Sequence, residues 1–188
     1  MSAVLDTDEL WRIVDQERTS LADLLDGLSP EGWETRTRCG DWRVRDVAAH
    51  LNSAVREGAL PVAEIAAHLR SIVGSRRLAP TTSPREPLLD LLVHGQDIAL
   101  ALGRTRRMPP AAARDAADRV WTMRIPPRPW PLPKARLVAT DIEFTRGAGP
   151  EVRGPIAALL LLLTGRQEAA REWAERAGES WTGVATSR

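Results

Sequence analysis

The chain has 188 residues, a hydrophobic fraction of 43% and a formal net charge of +1. This length and apolar content suit one folded domain, or a helical bundle with a small appendage. The near-zero net charge provides no bulk field that would favour nucleic acid, and the single cysteine excludes an intrachain disulfide. The N-terminus lacks a secretory signal pattern and no apolar run could span a bilayer, so we expect a cytoplasmic protein with no membrane contact.

The first half of the chain carries four amphipathic segments with helical periodicity. Asp41 is the expected N-cap of the second helix, because its carboxylate can accept from free amides of the first turn. Four such helices with short connections predict a bundle within residues 1–107, and bundles place metal sites between facing helices. The expected helices cover residues 7–28, 41–57, 61–73 and 86–102.

The composition changes after Gly103, and residues 108–188 are expected to form a small α+β unit. Residues 137–144 alternate like a strand, with Val138, Thr140, Ile142 and Phe144 on one face. A unit of this size is marginally stable alone, so we expect it to pack on the bundle. The other expected elements are a helix over 109–123, a proline-rich connector over 126–133, a short strand over 151–153, and helices over 155–165 and 167–177.

Two of the three histidines suggest a metal site. Asp90 and His94 are four residues apart, so a helix places both on one face, and His50 lies on another helix. Two imidazoles and a carboxylate leave the fourth tetrahedral position open, as in catalytic zinc sites. Asp97 shares the same stripe and is expected to orient an imidazole N–H from behind the ligands. The alternative is a polar strip on a partly exposed helix.

Three further residues near this pattern have open roles. His68 is the substitute third ligand if Asp90 does not bind, although a lone histidine is more often structural. Cys39 has no histidine near it in sequence, which favours a small buried thiol over a nucleophile. Trp42 is expected to be a packing anchor that lines the mouth of the pocket.

Several of these segments resemble a known protein family in the order of their residues. Residues 28–33 and 39–51, the latter running from Cys39-Gly40-Asp41-Trp42 to His50-Leu51, resemble the N-terminal domain of the mycothiol-dependent maleylpyruvate isomerase family, within the DinB-like superfamily. Residues 90–103 look like the fourth-helix motif of that family. Residues 149–155 and 159–166 are similar to its short C-terminal region.

The resemblance implies a mainly α fold, a DinB-like four-helix bundle followed by a small α+β unit. It also implies a divalent metal, usually zinc, held by His50, His94 and an acidic residue four positions before His94. Asp90 stands where the family has glutamate and is one methylene shorter.

The activity implied by the resemblance is that of an isomerase or transferase. A low-molecular-weight thiol, mycothiol or a similar molecule, would be the cosubstrate for isomerisation of, or transfer to, a small electrophile. One alternative is a non-catalytic metal- or ligand-binding domain of the same fold, and another is a structural bundle whose histidines only pack. We expect a monomer or a homodimer in each case.

Overall fold

The computed structural model describes residues 5–52, 61–78, 80, 82–123 and 135–182. These residues form a mainly helical protein with a small three-stranded sheet, which confirms the predicted fold class. The helices are α1 (Thr7–Asp26), α2 (Pro30–Trp33), α3 (Val44–Leu51), α4 (Val62–Ser71), α5 (Arg85–Ala101), α6 (Pro110–Thr122), α7 (Ile156–Leu163) and α8 (Gln167–Ala177). The strands are β1 (Arg136–Ala139), β2 (Thr145–Arg146) and β3 (Glu151–Gly154).

The chain divides into two compact units. The N-terminal unit spans Asp6–Arg106, and the C-terminal unit runs from Arg107 onward and includes Leu5. The identification of the first region as a metal-binding domain stays a prediction, as does the packing of the second region on it.

The N-terminal unit is a bundle in which α1 packs against α4 and α5, and α3 packs against α5. The helix α1 begins where the Asp6 side chain accepts from the backbone N–H of Glu9 at 2.8 Å, a standard N-cap interaction. Removal of the apolar faces from water is the main stabilising contribution. The largest fully buried side chains of this unit are Leu10, Leu21, Leu25, Ile65, Leu69, Leu88, Leu92 and Ile98.

The prediction that Asp41 caps the second helix is wrong. The helix α3 begins at Val44, and Asp41 lies in the preceding turn, exposed and paired with Arg36. The Asp46 carboxylate, in the first turn of the helix, makes a different contact, because it accepts from the backbone N–H of the N-cap residue Arg43 at 2.8 Å. The part of the predicted helix beyond Asn52, including Glu57, lies outside the described residues.

The predicted long strand over residues 137–144 is also different in the structure. The strand β1 ends at Ala139, whose backbone N–H donates to Phe144 O across a tight turn. The Asp141 side chain in this turn accepts from the backbone N–H of Ile156 at 2.8 Å and so caps α7. Residues 140–143 therefore serve a turn and a helix cap, whereas strand alternation assigned them to two faces of a sheet.

In the described part of the C-terminal unit, this sheet is combined with three helices. The strand order is β2-β1-β3, with β1 antiparallel to β2 and parallel to β3. The helix α7 packs against α6 and α8, and all eight of its residues are buried. Among the described residues, no helix combines the length and the apolar character that crossing a membrane requires.

Candidate metal centre

A tight turn before α3 carries two side chains to the candidate site. The backbone N–H of Thr37 donates to Trp42 O at 2.9 Å, and the backbone N–H of Trp42 donates to Cys39 O at 3.2 Å. Gly40 has a φ of 59°, a left-handed conformation that most residues adopt only with strain. The turn therefore fixes the backbone from which the Cys39 and Trp42 side chains project.

The short helix α3 supplies the first histidine. Its buried face consists of Val44, Val47, Ala48 and Leu51, which pack into the bundle. His50 lies off this face and is exposed. The apolar period of α3 therefore directs the His50 imidazole away from the core and towards solvent.

The long helix α5 supplies the carboxylate and the second histidine. Asp90 is exposed, and His94, one turn further along, is half-buried. The intervening Leu91, Leu92 and Val93 are buried and anchor the opposite side of the helix. The sequence spacing thus places Asp90 and His94 together on one side of a helix whose intervening residues are buried.

The three predicted ligands lie close together. The ring centroids of His50 and His94 are 5.0 Å apart with an interplanar angle of 78°. One donor atom from each of His50, Asp90 and His94 can be chosen so that all three lie within 4.8 Å of one another. Small side-chain rotations would bring three such atoms to the roughly 2 Å bond lengths of a zinc site.

Trp42 covers this group of ligands on one side. Its ring centroid lies 5.2 Å from that of His50 and 6.3 Å from that of His94, nearly parallel to the latter at 26°. The Trp42 side chain is nevertheless 39% exposed. It lies beside the two imidazoles, and its role at the mouth of a pocket stays a prediction.

Asp97 lies behind His94. Its Oδ2 atom is 2.9 Å from His94 Nδ1, and its side chain is fully buried, whereas that of His94 is 14% exposed. A buried carboxylate accepting the Nδ1 proton leaves the Nε2 lone pair of a neutral imidazole available to bind a metal. This is the arrangement in which a carboxylate orients a ligating histidine.

The electrostatics of the site keep His50 neutral. Partial burial of the ring lowers the pKa of His50 below its usual value, and the neighbouring His94 lowers it further. Asp90 opposes both effects without cancelling them. A neutral imidazole is the form that binds a metal, so His50 is ready for coordination at neutral pH.

The donor set fits a divalent metal of intermediate softness. Two imidazole nitrogens and one carboxylate oxygen suit zinc better than the oxygen-binding cations calcium and magnesium. A second group shares His94, because donor atoms of Cys39, His94 and Asp97 also lie within 4.8 Å of one another. Cys39 is half-buried, and its closeness to His94 was not expected from a sequence in which the two residues are far apart.

His68 does not join these residues. Within the described parts of the chain, it belongs to neither group of three candidate ligands. Its Nε2 atom is buried and has no hydrogen-bond partner. The structure therefore gives no support to His68 as the substitute for Asp90.

A second polar cluster, to which α5 contributes Gln96, was missed by the sequence analysis. The buried ionic cluster consists of Glu17, Gln96 and Arg106: Arg106 pairs with the Glu17 carboxylate at 2.6 Å, and Gln96 Nε2 donates to Arg106 O at 2.6 Å. A Cβ at Gly95 would lie 2.9 Å from Arg106 Nη1, so the absence of a side chain there lets the guanidinium approach α5. Glycine in the middle of an apolar helix was the one signal in the sequence for such a contact.

Comparison with known families supports the resemblance seen in the sequence. Residues 14–72 match the family described as mycothiol maleylpyruvate isomerase N-terminal domain, which confirms the resemblance for this segment. The segment contains His50, whereas Asp90 and His94 lie beyond it. No significant match was found among curated proteins or among solved structures.

Proposed function

We propose that this protein is a metal-dependent enzyme that uses a low-molecular-weight thiol, mycothiol or a similar molecule, for isomerisation of or transfer to a small electrophile. The observation that carries the proposal is the convergence of His50, Asp90 and His94 within 4.8 Å at a half-exposed position. The family match over residues 14–72 supplies the class of thiol. We further propose a cytoplasmic protein that acts as a monomer or homodimer.

His50, Asp90 and His94 would hold the metal, with zinc the preferred ion because of the nitrogen-rich donor set. When bound, a divalent zinc ion stabilises the thiolate form of a thiol at neutral pH. The two neutral imidazoles and one carboxylate leave a net charge of +1 on the loaded site, which attracts an anionic ligand.

The residues around the ligands would prepare the site for this chemistry. Asp97 holds the His94 ring in one tautomer through the 2.9 Å contact at Nδ1. Trp42 shields the two imidazoles on one side and offers an apolar surface to the substrate. A thiolate bound here would form a carbon–sulfur bond to the electrophile. In isomerisation this bond breaks again and the thiol leaves, whereas in transfer it persists.

The decisive experiment is elemental analysis of the purified protein and of three histidine variants. We expect about one divalent metal per chain in the wild type, and its loss in both His50→Ala and His94→Ala, because each ligand of a three-residue site is needed. His68→Ala is the matched control, since His68 is outside the group of ligands. Stoichiometric metal in both site variants would refute the proposed centre.

The alternative is a metal- or ligand-binding domain without catalytic turnover. The observation that favours it is Asp90, which is shorter than the glutamate usual in the family and is exposed. A protein that retains metal yet does not conjugate a thiol to a model electrophile would establish this alternative. Thiol-dependent turnover that is lost together with the metal would exclude it.

A further inference from the structure

We propose that Thr37 is a positioning residue, whose buried hydroxyl fixes Trp42 beside the two imidazoles and so shapes one side of the candidate metal centre. The inference deepens the proposed function and rests on it for the substrate that would meet this side. The placement of the Trp42 indole itself can be measured without metal or substrate. Thr37 is not among the proposed ligands, and no pattern in the sequence marks it.

Burial sets Thr37 apart from the other hydroxyl residues. It is 7% exposed, and among the residues that the structure describes it is the only buried serine or threonine. A buried hydroxyl costs free energy unless it forms hydrogen bonds. The role of this side chain is therefore defined by the groups to which its hydroxyl is bonded.

The Thr37 hydroxyl uses both its donor and its acceptor within one turn. Its Oγ1 atom donates to Trp42 O at 2.8 Å and accepts from the backbone N–H of Cys39 at 3.2 Å. The directions follow because a carbonyl oxygen only accepts and a backbone N–H only donates. The backbone N–H of Thr37 donates to the same Trp42 O at 2.9 Å. Thr37 thus supplies two hydrogen bonds to the Trp42 carbonyl.

The backbone of Trp42 is held from the other direction as well. Its N–H donates to Cys39 O at 3.2 Å, and α3 begins shortly after it at the fully buried Val44. The backbone N–H of Val44 donates to Thr35 O at 2.9 Å, which joins the same two segments of chain. With its backbone fixed in this way, the indole retains only its two side-chain torsions. Its position therefore depends on the carbonyl that Thr37 anchors.

The position of the indole matters because of its surroundings. Its ring centroid lies 5.2 Å from that of His50 and 6.3 Å from that of His94, yet the side chain is 39% exposed. An apolar ring that lies against the proposed ligands and is open to solvent is a surface that a bound substrate would contact. Thr37 can therefore affect substrate binding through Trp42 without touching the substrate.

The first test measures the position of the indole in the full-length, metal-free protein. The ring current of Trp42 shifts the imidazole NMR signals of His50 and His94, and Trp42→Ala gives these signals without that shift. Thr37→Val has a side chain of similar shape that neither donates nor accepts. It should move the signals at least halfway to their values in Trp42→Ala. Thr37→Ser keeps the hydroxyl and should retain the wild-type signals.

The matched control is Thr35→Val in the same segment. The Thr35 hydroxyl donates to Glu31 O at 3.1 Å, and the contact of Thr35 with Val44 is made by its backbone. Loss of this hydroxyl should leave the His50 and His94 signals unchanged. The signals of His68, which belongs to neither group of candidate ligands, provide an internal reference in every variant.

The second test measures turnover, with mycothiol as the thiol and chlorodinitrobenzene as the electrophile. Thr37→Val should raise KM for the electrophile about tenfold and leave kcat within about threefold of the wild type, because binding is lost equally in the ground and transition states. Zinc affinity against a competing chelator should also stay within about threefold, since Thr37 acts on Trp42 and not on the ligands.

Several outcomes would overturn the proposal. Unchanged His50 and His94 signals in Thr37→Val would show that the hydroxyl does not place the indole. Equal changes in Thr37→Ser or Thr35→Val would show that the signals report a general change of the segment. A Thr37→Val protein that loses its helical circular dichroism would show that Thr37 maintains the fold and has no specific role at the site.

Failure of the proposed function can be told apart from failure of this inference. A wild-type protein without zinc or without thiol-dependent turnover would refute the proposed function, and the NMR comparison would still decide whether Thr37 places the indole. Wild-type turnover together with an unchanged KM in Thr37→Val would refute this inference alone.

Discussion

Two polar clusters to which α5 contributes residues differ in how their charges are satisfied. In the buried ionic cluster, the Arg106 and Glu17 side chains are 6% and 8% exposed and neutralise each other at 2.6 Å. In the candidate metal centre, two imidazoles lie edge-to-face with an exposed carboxylate beside them. In the first cluster a positive and a negative side chain pair with each other. The second cluster consists of side chains that can each donate an electron pair to a metal.

This difference separates polar groups that support the fold from those that can bind a ligand. A buried charge without a partner costs several kcal/mol, so natural cores contain pairs such as Glu17 and Arg106. An exposed group of like donors has no such requirement and contributes little to stability. Substitutions in the two clusters should therefore affect different measurements.

The largest expected effect is in the buried ionic cluster. Arg106→Ala leaves the Glu17 carboxylate buried without its partner and should lower the free energy of unfolding by about 3–5 kcal/mol. Urea denaturation measures this loss. The matched control is Arg104→Ala, because Arg104 is exposed and its contact to Leu24 O is 3.3 Å long; its cost should be below about 1 kcal/mol.

The double variant Glu17→Leu/Arg106→Met sharpens this prediction. Replacing both charges with apolar side chains removes the burial penalty, so most of the stability lost in Arg106→Ala should return. A double variant as unstable as the single one would show that the pair makes a net favourable contribution of its own. A loss of less than about 1 kcal/mol in the free energy of unfolding of Arg106→Ala would contradict the contrast between the two clusters.

Substitution of Asp90 should have the next largest effect, and on metal binding instead of stability. If Asp90 ligates, Asp90→Ala should lower metal affinity by more than about 100-fold, while Asp90→Glu should retain or increase the affinity through its longer reach. Titration against a competing chelator measures both. Unchanged affinity in Asp90→Ala would remove Asp90 from the proposed centre.

Asp97→Asn should have a smaller effect on the same measurement. An amide can present its NH₂ group to His94 Nδ1 and favour the wrong tautomer, so metal affinity should fall by about 10- to 100-fold. The matched control is Asp41→Asn, because Asp41 is exposed in the turn before α3. Equal effects of the two substitutions would contradict the role of Asp97.

The smallest effect is expected at Asp15, which belongs to neither cluster. Burial would raise the pKa of Asp15, but hydrogen bonds from Gly74 N–H and Arg76 and the charges of Arg76 and Arg18 together hold it below its usual value. Because the folded-state pKa is the lower one, this stabilisation is complete above the unfolded value of about 3.9 and is lost as the pH falls through the folded value.

Asp15→Asn should therefore reduce the loss of stability between pH 7 and pH 3 by roughly 1 kcal/mol. Urea denaturation at both pH values measures the difference, with Asp8→Asn at an exposed position of α1 as the control. An identical pH dependence in wild type and Asp15→Asn would contradict the prediction.

The helical part of the fold could be predicted because its signals are local. The apolar period of α5 and the proline before α6 fixed those elements to within a few residues. The errors occur where long-range contacts decide the conformation. Asp41 resembles an N-cap, yet the bridge between Arg36 and Arg43 holds it in a turn. Likewise, Asp141 leaves the strand pattern to cap α7.

The candidate site follows the same rule: its local features could be predicted from the sequence, and its long-range contacts could not. The spacing of Asp90 and His94 is local, and His50 was added as a histidine on another helix before the resemblance pointed to it as well. The closeness of Cys39 to His94 and the pairing of Glu17 with Arg106 depend on how distant segments meet, and no local pattern encodes such meetings. Gly95 is informative only once Arg106 is seen against it.

The pairing of Glu17 with Arg106 also bears on how the chain folds as it is made. The two residues are 89 positions apart, a length that takes a ribosome roughly 5–20 s to synthesise. A helix forms within microseconds. The helix α1 can therefore form long before Arg106 has been synthesised, and its apolar face packs against α5 only later. The N-terminal unit therefore completes its core only when its last residue emerges from the ribosome. His50 can meet Asp90 and His94 only after α5 has been made, so a metal at the proposed centre would bind after synthesis of this helix.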